Sequence, residues 1–525
     1  MGKTSAIGSF HLWIGVVVSN VIMAVGTIVL ARLLLPSEYG LYSVALLPSL
    51  MIALFRDWGV NSASTKYLAQ FKAEDKTEEM RNVVVAGLIF EIGTGLVLSL
   101  ASVLLANFIA STILQRPDIA PLISIVSITI FSGSLMITSQ SAFVGLERMR
   151  INSFTMICQA LVKATVAPVL VLLGYGIFGA VLGYTLSFIA SGVIGILALY
   201  LVVFRRLKRN RKPQTSTYQT LKYLLRYGLP LSISVIISGF LVQIYNFMMA
   251  FYCTDAQIGN FQICAKFTVL LTFFTLPIHT VLFPAFAKID SEKEPDLLKR
   301  IFETSVKYAA LLVVPATTAV MVLSKPMIFT LFGDQYIQAP LFLTLYVISF
   351  LLVGLGNLSL GNLLTGIGET KTILKMTLLT MFIGLFSAFL LIPNLGIIGV
   401  IITNVVAGIP SMFWGLRWIL KRYDATVNWG SSFRIFVASL MAGAATYFCL
   451  YFINTVEWIR LLLGGAIFLT TYLVAAPLTG AVTKNDVVNL RAMFSGLGLI
   501  SELLNSFLKV AEKIAGARFS SPDKE

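Results

Sequence analysis

The stretch YGIFGAVLGYTLSFIASG at residues 175–192 returns, 220 positions further along the chain, as LGIIGVIITNVVAGIPSM at residues 395–412. Other phrases return in the same order and at nearly the same spacing. PSEYGLY (36–42) matches DAQIGNF (255–261), LAQFKAEDK (68–76) resembles FAKIDSEKE (286–294), and GLERMR (145–150) stands where GIGETK (366–371) stands. A single pair of this kind is weak in an apolar chain, but four in one order mark an internal duplication. The glycines at 176, 179, 396 and 399 fall at the same point of each copy, where they would permit a tight turn and close helix approach.

The composition says what is duplicated. Of 525 residues, 57% are hydrophobic and only 12% charged, with a mean hydropathy of +0.87, too little polar surface to coat a water-soluble globule of this length. Apolar runs of about 20 residues recur, the length that a helix needs to span a bilayer. We place fourteen spans between residues 11 and 479, among them 41–64, 304–329 and 339–364 as single spans. Six spans form each copy. An even number gives both copies the same sense across the membrane, related by a pseudo-two-fold axis along its normal, the parallel-repeat arrangement of several transporters, with alternating access as the mechanism. The expected fold is therefore an all-α integral membrane protein with two six-helix lobes, residues 1–204 and 226–422, joined by a basic cytoplasmic linker (205–225). Two further spans (423–482) and a cytoplasmic amphipathic helix and tail (483–525) complete it.

A net charge of +15 would suit nucleic acid if the charges were clustered on a soluble face. They are not. Lys72, Arg81, Arg148, Arg205, Lys299 and Arg422, with others, fall in the loops after even-numbered spans, so the basic balance is topological and nucleic acid is excluded as a partner. The positive-inside rule then puts both termini in the cytoplasm. The four cysteines lie in or beside apolar runs without ligand spacing, and read as small core residues rather than a disulfide or metal set. No phosphate-binding loop, acidic metal-binding pair or other catalytic constellation is present, which argues against an enzyme, and no cofactor is implied.

Several motifs, LARLLLPSEYGLY (30–42), FRDWGVNSASTKYLAQ (55–70), FVGLERMR (143–150), FPAFAKI (283–289), LFGDQYIQAP (331–340) and the paired GIxG phrases, form an ordered set. Across all fourteen spans the chain resembles the polysaccharide transporter (O-antigen flippase type) family of the multidrug/oligosaccharidyl-lipid/polysaccharide flippase superfamily. The resemblance implies a bilobed bundle that moves a lipid-linked oligosaccharide from the cytoplasmic to the outer leaflet of the cell membrane. Its expected partners are that glycan lipid, the membrane lipids and glycan-assembly enzymes. In one place the chain departs from the family: where members often carry an acid in span 7, IYNFMMA (244–250) has Tyr245 and Asn246.

Charged side chains at membrane depth are costly and persist where they face protein or a wet cavity. Here they are Arg56, Asp57, Glu91, Lys163 and Lys266, and the cations outnumber the acids. A prenyl diphosphate needs cations, Arg as a planar fork and Lys as a point charge. Arg56, Lys163 and Lys266 are thus candidate head-group contacts, with Gln159 one helical turn before Lys163. The competing readings are that Arg56 pairs with Asp57 or Glu91 and that Lys266 snorkels to an interface. Asp57 and Glu91 are candidates for ion coupling or charge pairing, and Arg32 for an outer gate or an interfacial anchor. Lys307, four residues after Glu303, reads as a helix-surface pair. A multidrug or organic-cation exporter is the rival function, disfavoured because excess Lys and Arg would repel a cation.

Overall fold

In the computed structural model, which describes residues 2–205, 215–289, 293–483 and 486–487, the chain is helical and holds no strand among those residues. The first eight helices are α1 (Gly2–Leu33), α2 (Pro36–Ala53), α3 (Val60–Ala73), α4 (Thr77–Phe108), α5 (Ala120–Gly145), α6 (Met149–Leu170), α7 (Gly176–Leu199) and α8 (Thr217–Tyr252). There follow α9 (Asp255–Ala287), α10 (Pro295–Val322), α11 (Ser324–Phe332), α12 (Ala339–Tyr346), α13 (Ile348–Leu351), α14 (Asn357–Gly366), α15 (Thr370–Leu395), α16 (Ile397–Tyr423), α17 (Trp429–Phe452) and α18 (Glu457–Thr479). Among the described residues, ten helical segments are long and apolar enough to cross a membrane, and eleven with the bent pair Ala339–Leu355 and Asn357–Gly366. One of the ten, Met149–Val202, contains both α6 and α7. The chain reverses between them at Gly176, with φ of +48°, and the repeat-equivalent Gly396 has φ of +56°. Both turns need the left-handed backbone that glycine adopts without strain.

Three spans expected to be continuous are interrupted. The run 41–64 breaks between Ala53 and Val60, where Trp58 and Gly59 have φ of +49° and +78°. A Cβ on Gly59 would stand 2.6 Å from the Gly228 Cα, so backbone meets backbone there and only glycine fits. The run 304–329 divides at Leu323 because Pro326 lacks an N–H, and its ring would clash with the Val322 carbonyl one turn earlier. The run 339–364 bends by 55° at Gly356, whose φ is +96°. Periodicity sees none of these breaks, since apolar residues continue straight through them.

The stretch read as a linker is shorter than expected as a loop, because α8 begins at Thr217. A reciprocal cap starts it: the Gln219 N–H donates to Ser216 Oγ and the Ser216 N–H to Gln219 Oε1, both at 3.2 Å. Asn82 on α4 anchors the same start, donating to the Thr215 carbonyl at 2.8 Å and to Thr220 Oγ1 at 2.7 Å. Residues 206–214 of the linker lie outside the described residues.

The helices form two compact units, residues 1–262 with 392–397, and residues 263–391 with those from 398 onward. Small residues bring the helices of unit 1 together: Gly26 lies against Ala164 (α1 on α6), Gly95 against Ser134 (α4 on α5) and Gly195 against Ser139 (α7 on α5). Lipid tails are as apolar as a leucine, so close backbone approach replaces hydrophobic burial as the glue between helices in a membrane. At one end of this unit, Val60, Leu68, Val83, Phe143 and Leu224 form an apolar core. In unit 2, Phe286, Phe302, Leu360 and Ile419 make one core, while Ala310, Val314, Ile435 and Ala475 make another.

Ala481, Val482 and Val487 join that last core, so the segment after α18 begins by docking on the protein. The amphipathic helix expected beyond it otherwise lies outside the described residues. Asp486 fixes the docking. It accepts from Lys307 Nζ at 2.5 Å and from the Thr483 N–H at 2.8 Å, so Lys307 is an ion-pair partner across the unit and not a surface pair for Glu303. Burial pushes the Asp486 carboxyl up, but the hydrogen bonds from Lys307 and Thr483 outweigh it and hold it below the usual carboxylate range. A depressed folded-state pKa gives stability that is present above the unfolded value, about 3.9, and is lost as pH falls through the folded value. Proteolysis at this segment is therefore expected to accelerate on acidification below about pH 4 and to be fast at all pH in Asp486→Asn. Equal cleavage of variant and parent at pH 7 would refute the role of the pair.

Candidate functional site

Arg56, Asp57 and Glu91 come together at the break between α2 and α3. Arg56 Nε lies 3.4 Å from Glu91 Oε2, with the two side chains 9% and 1% exposed. Neither atom has a hydrogen bond, so charge rather than aligned geometry holds this pair. Asn61 stands between the two carboxylates. Its N–H and Nδ2 donate to Asp57 Oδ1 at 2.9 and 3.0 Å, and Nδ2 also donates to Glu91 Oε1 at 2.7 Å. Its Oδ1 accepts from Ser141 Oγ on α5 at 3.1 Å. Asp57 thus satisfies an N–H that the first turn of α3 would otherwise leave open, which is why the helix restarts there. A broken helix carrying buried charge is the arrangement by which membrane transporters line polar sites.

A second set of side chains extends from this group. Arg56 Nη1 lies against Gly133 of α5: a Cβ there would meet it at 3.0 Å and Phe188 Cδ1 at 3.5 Å. Phe188 packs on Tyr184, with ring centroids 5.1 Å apart, and Lys163 Nζ sits over the Tyr184 ring, 4.9 Å from its centroid. Two aromatic rings of α7 therefore connect Arg56 to Lys163, and the cation–π contact offsets part of the cost of holding the ammonium away from bulk water. Lys163 and Gln159 are both half-buried, one turn apart on α6.

The remaining candidates stand elsewhere. Arg32 is exposed in the last turn of α1, and Lys266 is exposed on the part of α9 that belongs to unit 2. At the span 7 position Tyr245 is buried with its hydroxyl unpartnered, and the Asn246 Nδ2 donates to Gln243 Oε1 at 3.4 Å. Sequence reasoning missed Asn61 and Ser141. Asn61 was findable, being one helical turn after Asp57 and at membrane depth. Ser141 carried no signal, because α5 is rich in serines that bond only their own helix, such as Ser134 to the Ile130 carbonyl.

The comparisons with known proteins follow from this geometry. A family profile described as "polysaccharide biosynthesis protein" matches residues 29–341. The lipopolysaccharide biosynthesis protein WzxC of Escherichia coli (strain K12) is 26% identical over 428 residues, 78% of this chain and 79% of that protein. Among solved structures, the lipid II flippase MurJ in its inward closed conformation superposes with a TM-score of 0.69 at 17% identity, covering 89% of this chain and 98% of MurJ. An inward-facing multidrug resistance MATE transporter superposes with a TM-score of 0.62 at 18% identity, over 78% and 94% of the two chains. At such identities the structures establish a shared fold, and the profile, which spans well over half of the 525 residues, establishes the family. A duplicated, all-helical membrane protein with buried intramembrane charge, this chain belongs to the polysaccharide biosynthesis protein family.

Proposed function

We propose that this protein is a flippase that moves a lipid-linked oligosaccharide or polysaccharide repeat unit, carried on a polyprenyl phosphate, from the cytoplasmic to the outer leaflet. The observation that carries the reading is membership of a polysaccharide biosynthesis family in a chain whose fold is shared with a lipid II flippase. The protein is a multi-pass membrane protein. The loop distribution of Lys and Arg supports placing it in the plasma membrane with both termini cytoplasmic.

In this reading, residues 1–204 and 226–422 are the two halves that rock about the repeat axis, with 205–225 as their link. Residues 423–482 form an added pair of spans, and 483–525 a cytoplasmic tail. Lys163, Gln159 and Lys266 contact the anionic head group. Arg56, held by Glu91 and Asp57, contributes positive potential to the same path, and Arg32 anchors the outer rim. Glycan-assembly enzymes supply the substrate. Excess cation over acid favours a diphosphate and opposes an organic cation, so the MATE-like fold alone does not make this an exporter of cationic drugs.

Reconstituted protein is expected to speed the flipping of a fluorescent polyprenyl-diphosphate oligosaccharide in proteoliposomes, scored by access of an outside reagent. Lys163→Ala should slow it by about tenfold to a hundredfold, the loss of one charge-assisted contact. Parental rates in both Lys163→Ala and Lys266→Ala would remove these residues from the path. Export of an organic cation, with no flipping of any glycan lipid, would replace the reading with the drug-exporter one.

A further inference from the structure

Two equivalent points of the repeat touch each other within unit 1. Pro36 opens α2 and Asp255 opens α9; they are matching positions of PSEYGLY and DAQIGNF, 219 residues apart, as are Gly40 and Gly259. A Cβ on Gly40 would stand 2.9 Å from the Gly259 N, and one on Gly259 would stand 3.0 Å from the Gly40 N. Each would run still closer into a carbonyl oxygen at the start of the other helix, that of Asp255 in one case and of Pro36 in the other. Residue 40 meets 255 as residue 259 meets 36. Reciprocity of this kind is what a two-fold axis imposes on a contact.

The contact is backbone on backbone, with Cα–H groups meeting carbonyl oxygens, an interaction that is individually weak. It buries little side-chain area. It is close enough to exclude water yet has no interlocking side chains to hold it shut. Arg116, in the turn between α4 and α5, supplies what the glycines lack. It forms an ion pair with Asp255, and its Nη2 donates to the carbonyls of Ala250 at 3.0 Å and Cys253 at 3.4 Å, at the end of α8. A guanidinium suits that place, because the last carbonyls of a helix carry partial negative charge. Arg116 belongs to the first copy of the repeat and its three partners to the second, so the copies cannot separate here without breaking it.

We propose that the Gly40–Gly259 contact, latched by Arg116 on Asp255, is the outer seal of the transport path and that it parts when the head group is released outward. The proposal rests on the flippase reading and its orientation, which place the starts of α2 and α9 at the outer face.

Cys253, buried beside the latch, is a native reporter. In full-length protein with Cys158, Cys264 and Cys449 replaced by Ser, its labelling by a membrane-impermeant maleimide added outside should be slow. Arg116→Gln should raise the rate by up to about fivefold, the worth of a partly exposed ion pair. Gly40→Ala should raise it by roughly tenfold or more, since neighbouring backbone cannot yield to the new methyl without displacement. Unchanged labelling in both variants, each inserted at the parental level, would overturn the seal, as would labelling that accelerates only from the cytoplasmic side. Labelling requires no substrate: a protein that shows the expected changes but flips no glycan lipid keeps the seal and loses the substrate assignment.

Discussion

Arg56→Ala is expected to lower the stability of the membrane-embedded protein by about 3–5 kcal/mol, the usual cost of removing one partner from a buried ion pair. Glu91 would remain fully buried, with Asn61 on one oxygen and nothing on the other, facing the partial field of Asp57. Its charge would then be unfavourable, and protonation would relieve only part of the cost. The double variant Arg56→Ala/Glu91→Ala should recover most of the loss, because two absent charges need no partner. Thermal unfolding in lipid nanodiscs, compared across parent, single and double variants, decides it. If the double variant is as unstable as the single, the 3.4 Å pair contributes nothing and Arg56 matters for another reason.

The second large effect is steric. Gly183→Leu should destabilise unit 1 by about 1–3 kcal/mol or more, the range for overpacking. A Cβ at Gly183 would stand 2.5 Å from the Ala167 N and 2.6 Å from the Ala167 Cβ, so α6 and α7 would have to move apart along their contact. Gly179→Leu meets the same obstacle one turn away, at 2.9 Å from the Leu170 carbonyl carbon. Separation would also carry Lys163 away from Tyr184, and transport should fall with stability. Gly93→Leu is the control: it faces open space, with no atom within 4 Å of its Cβ position, and should behave as the parent. A similar melting temperature in Gly183→Leu and Gly93→Leu would show that the α6–α7 approach is not a tight one.

Class, duplication and mechanism were legible in the sequence for physical reasons. A hydrocarbon solvent forces every backbone polar group into a helix and every span to a similar length, so apolar run length reports the element almost directly. The hairpin glycines were legible as well, because a reversal with positive φ at residues 176 and 396 leaves few alternatives to glycine. Helix interruptions were not. Trp58–Gly59, Leu323 and Gly356 break spans without breaking hydropathy, and what makes each break is a proline ring or a contact made elsewhere in the chain, such as Gly228 against Gly59.

The site divides along the same line. Sequence alone identified Arg56, Asp57, Glu91 and Lys163 as charges that must be accounted for at membrane depth, since a charge in lipid is costly wherever it points. It left open whether Arg56 met a carboxylate or a substrate, whether Lys307 answered Glu303 or Asp486, and which glycines were contacts rather than composition. Only the tertiary structure decided these, because partners such as Arg56 and Glu91, Lys307 and Asp486, or Gly40 and Gly259 lie many residues apart in sequence and become neighbours only when helices pack. Burial in the bilayer is a property each residue carries along the chain, whereas pairing is a property of two positions that folding alone brings together.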